Sequence, residues 1–256
     1  MSGRERLSAA IRSAAREGEP ALIAYLTAGF PERGRFAEHV RALVSGADVV
    51  EIGVPFTDPM ADGVTIQRAS LAALAAGVSL RWILEELGAL GEMRVPLVLM
   101  SYLNPLLAFG PALAARARAA GVAGFIVPDL PLDEASGLRA ALAAEELALV
   151  QMVTPVTAPA RLAQLCAGSE GFVYAVTATG TTGRNVAVPE EVLRYLDAVR
   201  AAAHLPVCAG FGIRSAAQVA RLRGHVDGVV VGSAMVECLE RGDDPRAFLR
   251  SLRGSA

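Results

Sequence analysis

One beat recurs along the chain: a short apolar, β-rich run, then a stretch of Ala, Leu, Arg and Glu at helical spacing. The runs are Ala21–Thr27, Asp48–Val54, Pro96–Tyr102, Val122–Pro128, Leu147–Thr154, Gly171–Thr177, Leu205–Gly210 and Val226–Val231. Most are apolar at consecutive rather than alternating positions, as parallel strands covered on both faces require. Helical stretches lie between them at Gly34–Ser45, Ser70–Leu90, Pro111–Ala120, Leu132–Glu145, Ala158–Ala167, Pro189–Ala203 and Ser215–Gly224. Eight strand–helix units in 256 residues point to an α/β fold, a (β/α)8 TIM barrel. A doubly wound sheet is the alternative. No composition break or linker divides the chain, so one domain over 1–256 is expected. Met1 to Glu19 alternates Arg and Glu with small residues and reads as an extra short surface helix at the N-terminus.

Composition narrows the chemistry. All 24 Lys+Arg residues are arginine. A chain without an amine side chain cannot form a Schiff base with a carbonyl substrate or hold pyridoxal as an internal aldimine, and it has no Walker-type phosphate lysine. The net charge is −2, with no long run of one sign, which argues against a nucleic-acid surface. Cys166, Cys208 and Cys238 are far apart and odd in number, as in a reducing compartment. No stretch approaches the length of an apolar membrane span. A cytoplasmic protein is expected.

Most strands follow the last by roughly 22–30 residues, near the minimum for a strand–helix–strand unit. The gaps after the second and sixth runs are longer. They open with Pro55-Phe-Thr-Asp-Pro-Met-Ala-Asp-Gly63 and with Ala178-Thr-Gly-Thr-Thr-Gly-Arg-Asn185. Barrel active sites sit on the loops at strand C-terminal ends, so these two loops are candidate lids.

Glu51 interrupts the apolar strand Val49-Val-Glu-Ile-Gly-Val54 and shares a face with Val49 and Gly53. A buried carboxylate is unfavourable unless it is paired or its pKa is raised. It is either salt-bridged to an arginine or catalytic. Gly53 would leave room for a ligand. Asp62, on the second loop, supplies another carboxylate, and two carboxylates in different settings suit divided acid/base work. Asp58 precedes a proline and suits a turn or an interface. Strand seven ends in Gly210-Phe-Gly212 and strand eight in Gly232-Ser233. Barrels often grip phosphate with backbone N–H groups after these strands, and Gly183 could add a donor. Tyr102, Asn104, Asp129 and Tyr174 are pocket or structural polar residues. His39, His204 and His225 fall away from strand C-terminal ends, so neither a triad nor a histidine metal site is expected.

At these motifs the sequence resembles the tryptophan synthase alpha chain family, from Ala21-Leu-Ile-Ala-Tyr-Leu-Thr-Ala-Gly-Phe-Pro31 onward. The most specific piece is Glu51-Ile-Gly-Val-Pro-Phe-Thr-Asp-Pro-Met-Ala-Asp-Gly63 with Thr65-Ile-Gln67; Gly-Phe-Gly at 210–212 and Gly-Ser at 232–233 agree in place and order. The resemblance implies a (β/α)8 lyase that cleaves indole-3-glycerol phosphate to indole and glyceraldehyde 3-phosphate in tryptophan biosynthesis. It implies no cofactor in this chain, and a pyridoxal-phosphate beta chain as partner in an α2β2 complex. At matching positions Glu51 is the general acid/base and Asp62 holds the indole N–H. Gly183, Gly212, Gly232 and Ser233 bind phosphate. Tyr102, Tyr174 and Phe211 line the pocket, and Thr182 brings the two loops together. No metal is implied. Val64 stands where the family mostly has proline, and the 178–185 loop departs from the usual Gly-Val-Thr-Gly. Rival readings are a stand-alone lyase that releases free indole, a non-catalytic subunit that activates a beta chain, and a phosphosugar isomerase barrel.

Overall fold

A computed structural model describes residues 1–16, 18–177, 188–210 and 212–254. Eight strands, β1 (Ala21–Thr27), β2 (Val49–Gly53), β3 (Leu97–Met100), β4 (Val122–Ile126), β5 (Ala148–Val153), β6 (Val173–Val176), β7 (Val207–Gly210) and β8 (Gly228–Val231), form a closed barrel in sequence order. Every neighbouring pair is parallel, and β1 closes on β8 through Ala21–Gly228 to Ala24–Val231. The doubly wound alternative is thereby excluded, since an open sheet has two edge strands and this one has none.

Consecutive apolar runs are explained by two cores. Side chains on one strand face, such as Leu22, Val50, Leu99, Phe125 and Val229, pack outward under the helices. Those on the other face, such as Ile23, Val49, Val98, Val150, Phe172 and Val230, fill the barrel. Alternate residues of each strand serve different cores, so no polar face is left.

Ahead of the barrel comes α1 (Gly3–Arg16), and α2 (Phe36–Val44) joins β1 to β2. The single helix expected over Ser70–Leu90 is two helices, α3 (Val64–Ala75) and α4 (Leu80–Leu90). The break is local: Gly77 has φ +77, and the Ser79 hydroxyl caps α4 by accepting the Trp82 N–H. β3 leads into α5 (Leu103–Phe109) and α6 (Leu113–Ala119). Then come α7 (Ser136–Ala144), α8 (Pro159–Gly168), α9 (Glu190–Ala202) and α10 (Ala216–Leu222), followed after β8 by α11 (Ser233–Glu240) and α12 (Pro245–Leu252).

α1 is not a surface helix. Leu7 and Ile11 are fully buried and, with Ala14, belong to the core inside the barrel. The helix closes the N-terminal mouth, so close to β4 that a Cβ on Gly3 would lie 2.2 Å from the Ala123 carbonyl oxygen. It bonds four carbonyls on the segments entering β3, β5, β6 and β7. Arg6 donates to Met93 (3.3 Å), the Gly3 N–H to Glu146 (2.8 Å), the Ser8 hydroxyl to Gly171 (2.5 Å) and Arg12 to His204 (3.0 Å). With one mouth stoppered, the other is where a ligand enters.

Candidate active site

Glu51 lies on the inner face of β2, in register with Tyr25 on β1 and Val98 on β3. It is 1% exposed. No arginine pairs with it among the described residues, and its Oε2 has no hydrogen-bond partner. Burial raises its pKa to about 8, with the nearby charge of Asp62 adding to the effect. The salt-bridge alternative therefore falls.

Asp62 hangs over this mouth from the loop between β2 and α3. Its N–H donates to the Pro59 carbonyl (3.2 Å), and the Asp62 carbonyl accepts from Gln67 Nε2 (2.9 Å), tying the residue to the first turn of α3. Burial raises its carboxyl to about 6, while a hydrogen bond from the Tyr102 hydroxyl pulls the other way. That hydroxyl also accepts the Ala61 N–H (2.9 Å). Phe56 stacks on the Tyr102 ring at 5.1 Å between centroids. Tyr102 thus carries the loop at two points. Asp129 accepts the Leu103 N–H (2.9 Å), a structural role at the start of α5, and Asn104 lies within that helix.

Gly53 does not leave room for a ligand. A Cβ there would lie 2.1 Å from the Tyr25 hydroxyl, which bonds Thr27 Oγ1 (3.2 Å). The same device recurs across the barrel, where a Cβ on Gly210 would lie 2.2 Å from the Tyr174 hydroxyl. Each glycine admits a tyrosine from the preceding strand into the barrel. Tyr25 and Phe56 escaped sequence reasoning because one sits in an ordinary strand and the other reads as loop filler. The available signal was the matched pair Tyr25/Gly53 and Tyr174/Gly210.

Gly212 has φ +83, and a Cβ there would meet nothing within 4 Å. Gly232 is similarly open, its nearest neighbour Ile66 Cδ1 at 3.8 Å. The two helices beyond these glycines differ. α10 begins with a capping box of Ser215 and Gln218, whereas α11 begins at Gly232-Ser233 with no side-chain cap. An uncapped helix start presents unsatisfied N–H groups and a partial positive charge. Thr182, Gly183 and Phe211 lie outside the described residues. Among the described residues no group of three or more His, Cys, Asp or Glu could hold a metal.

The mouth therefore joins a protonated buried carboxyl, a second carboxyl on a loop and an anion-seeking helix start. Comparison with known proteins agrees. A family model described as tryptophan synthase alpha chain matches residues 11–254. The chain belongs to the tryptophan synthase alpha chain family. It is 45% identical over 249 residues to the alpha chain of Nitratidesulfovibrio vulgaris strain Hildenborough, covering 96% of this chain and 97% of that one. The Deinococcus radiodurans alpha chain is 42% identical over 253 residues, covering 98% and 94%. Among solved structures, Mycobacterium tuberculosis tryptophan synthase superposes with a TM-score of 0.88 at 38% identity, covering 97% of each chain. Tryptophan synthase subunit alpha of Legionella pneumophila strain Paris gives 0.86 at 32% identity, covering 99% and 98%.

Proposed function

We propose that the chain cleaves indole-3-glycerol phosphate to indole and glyceraldehyde 3-phosphate, acting as one domain over 1–256. The observation that carries this is the buried Glu51 carboxyl, its Oε2 without a hydrogen-bond partner and its pKa raised to about 8 by burial and by nearby Asp62. A proton donor of this kind matches the reaction. Glu51 gives its proton to indole C3, which leaves the ring as an iminium-like cation. Asp62, with its pKa of about 6, is largely ionised at pH 7 and holds the ring N–H against that charge. The Glu51 carboxylate then takes the proton from the glycerol hydroxyl beside the ring. The C–C bond breaks toward the ring, its electrons neutralise the cation, and the aldehyde forms. The ring acts as the electron sink, so no lysine is required. Gly212, Gly232, Ser233 and the start of α11 bind the phosphate, joined by Gly183. Tyr102, Tyr174 and Phe211 line the pocket, and Thr182 works in loop closure. The reaction requires no cofactor in this chain.

The partner in this reading is a tryptophan synthase beta chain, which holds the pyridoxal phosphate of the α2β2 assembly. Large apolar side chains exposed on the segments that follow β2, β3 and β5 support it: Met60 at 86%, Val64 at 80%, Leu107 at 65% and Val156 at 85%. Such a surface suits a docking protein. A partner that favours the closed loops raises turnover by population shift. The reading includes a cytoplasmic location; no helix among the described residues is long and apolar enough to cross a membrane.

The test is indole release from indole-3-glycerol phosphate by the purified chain, alone and with a beta chain. Low turnover alone, stimulated by the partner, is expected. High turnover unchanged by any beta chain would favour the stand-alone lyase, and no turnover in either case would leave a non-catalytic subunit.

A further inference from the structure

We infer that Glu237 is a positioning residue, which fixes the separation between Asp62 and the phosphate-binding backbone and so sets the length of substrate the site accepts. The inference rests on the reading above. Glu237 lies one turn into α11, on the helix whose start follows Gly232. Its carboxylate takes both guanidinium nitrogens of Arg214, at 2.7 and 2.9 Å, and the Thr65 hydroxyl, at 3.3 Å. These partners come from opposite ends of the site. Arg214 is two residues beyond Gly212, on the loop leaving β7. Thr65 is in the first turn of α3, three residues after Asp62.

A second rung joins the same helices one turn further on, where Arg68 of α3 pairs with Glu240 of α11. The Arg214–Glu237 pair is the more consequential. It is bidentate, and its side chains are only 28% and 23% exposed, so water screens it less than a surface pair. Asp62 is tied in turn to α3 through Gln67 Nε2 (2.9 Å). An unbroken chain of bonded groups therefore runs from Gly212 and the start of α11, through Glu237, to Asp62. The indole N–H and the phosphate are opposite ends of one substrate, and productive cleavage requires both at once. A ligand filling only one end does not sense the separation; a ligand filling both does.

The test compares three probes on the parent and on Glu237→Ala: inorganic phosphate, indole, and an indole carrying phosphate on a three-carbon chain. In Glu237→Ala the spanning probe should bind about tenfold more weakly, while each half-probe stays within about twofold. The kcat for indole-3-glycerol phosphate should fall, and Glu237→Gln, whose single amide oxygen can still accept from Thr65 and one Arg214 nitrogen, should recover part of the loss. Thr65→Val removes one hydroxyl at nearly constant shape, so it remains informative if Glu237→Ala fails to fold. It should show the same pattern at about threefold. Equal weakening of all three probes would make Glu237 a purely structural residue, and no weakening of the spanning probe would remove its role; either overturns the inference. A parent that binds no probe and cleaves no substrate would instead fail the functional reading, so the two failures are distinct.

Discussion

The ordinary carboxyl value for Glu51 is 4.5, and in the fold it is about 8. Between these values the folded chain holds a proton that the unfolded chain has released. Stability must therefore fall as pH rises through that window, on the order of 1 kcal/mol per pH unit from this group. Glu51→Gln removes the titration. Its melting temperature should match the parent near pH 4.5 and exceed it increasingly toward pH 8 by calorimetry. Turnover should fall by about 10²–10⁴ with substrate affinity nearly intact. A variant with parent-like activity would make Glu51 structural. For the parent, kcat/KM needs Asp62 ionised and Glu51 protonated, so the profile should be bell-shaped with limbs near about 6 and about 8. Asp62→Asn should lower kcat and move the alkaline limb part of the way to lower pH, because burial still raises Glu51 but the charge that adds to it has gone; an unmoved limb would show that the two carboxyls do not sense each other. That Glu51 is a buried carboxyl was legible in the sequence, because it interrupts an apolar strand; that no arginine pairs with it among the described residues was not, because spacing does not say which side chains meet across the barrel. Gly53 was misjudged, because an empty side chain leaves open whether ligand or protein occupies the space, and here Tyr25 does.

At the scale of elements, the strands were legible because consecutive apolar residues over so short a run suit little else, and the helix break at Gly77 was not. The Ala- and Leu-rich pattern continues across it, whereas the break depends on one positive φ and one serine cap. The start of α3 carries a further consequence. Val64 is the first residue of that helix, and Gly63 before it is extended, at φ −74 and ψ 164. Proline is favoured at a first helical position, and the residue before it prefers extended backbone. Val64→Pro should therefore stabilise the chain by about 0.4–1 kcal/mol, chiefly by restricting the unfolded state. It should also hold the Asp62 loop with less freedom, which limited proteolysis of the 54–63 segment would register as slower cleavage. A loss of stability would mean that the Val64 N–H has a partner in solution. The candidate phosphate loops were legible as glycine-rich strand ends, but the contrast between a capped α10 and an uncapped α11 depends on side-chain geometry that spacing does not carry.

For the whole molecule, closure of the barrel followed from counting units, while the seat of α1 did not. Its Arg and Glu residues drew attention to a solvated face; Leu7, Ile11 and Ala14, spaced to share the other face, were the overlooked signal. That seat has a consequence for synthesis. α1 leaves the ribosome before every strand of the barrel, yet the carbonyls it bonds belong to residues 93, 146, 171 and 204, and β8 must still arrive to close the ring. A helix of 14 residues is marginal on its own in water. Throughout translation this segment is an amphipathic peptide with nowhere to dock, available to chaperones and proteases. In ribosome-bound chains of increasing length, trypsin should cut at Arg6 and Arg12 until β8 has emerged, and then stop. Protection in chains ending before β5 would mean that half a barrel can already seat it. On the expected outcome, a helix made before every strand of the barrel is the last of these elements to become native, and any delay in elongation lengthens the time it spends exposed.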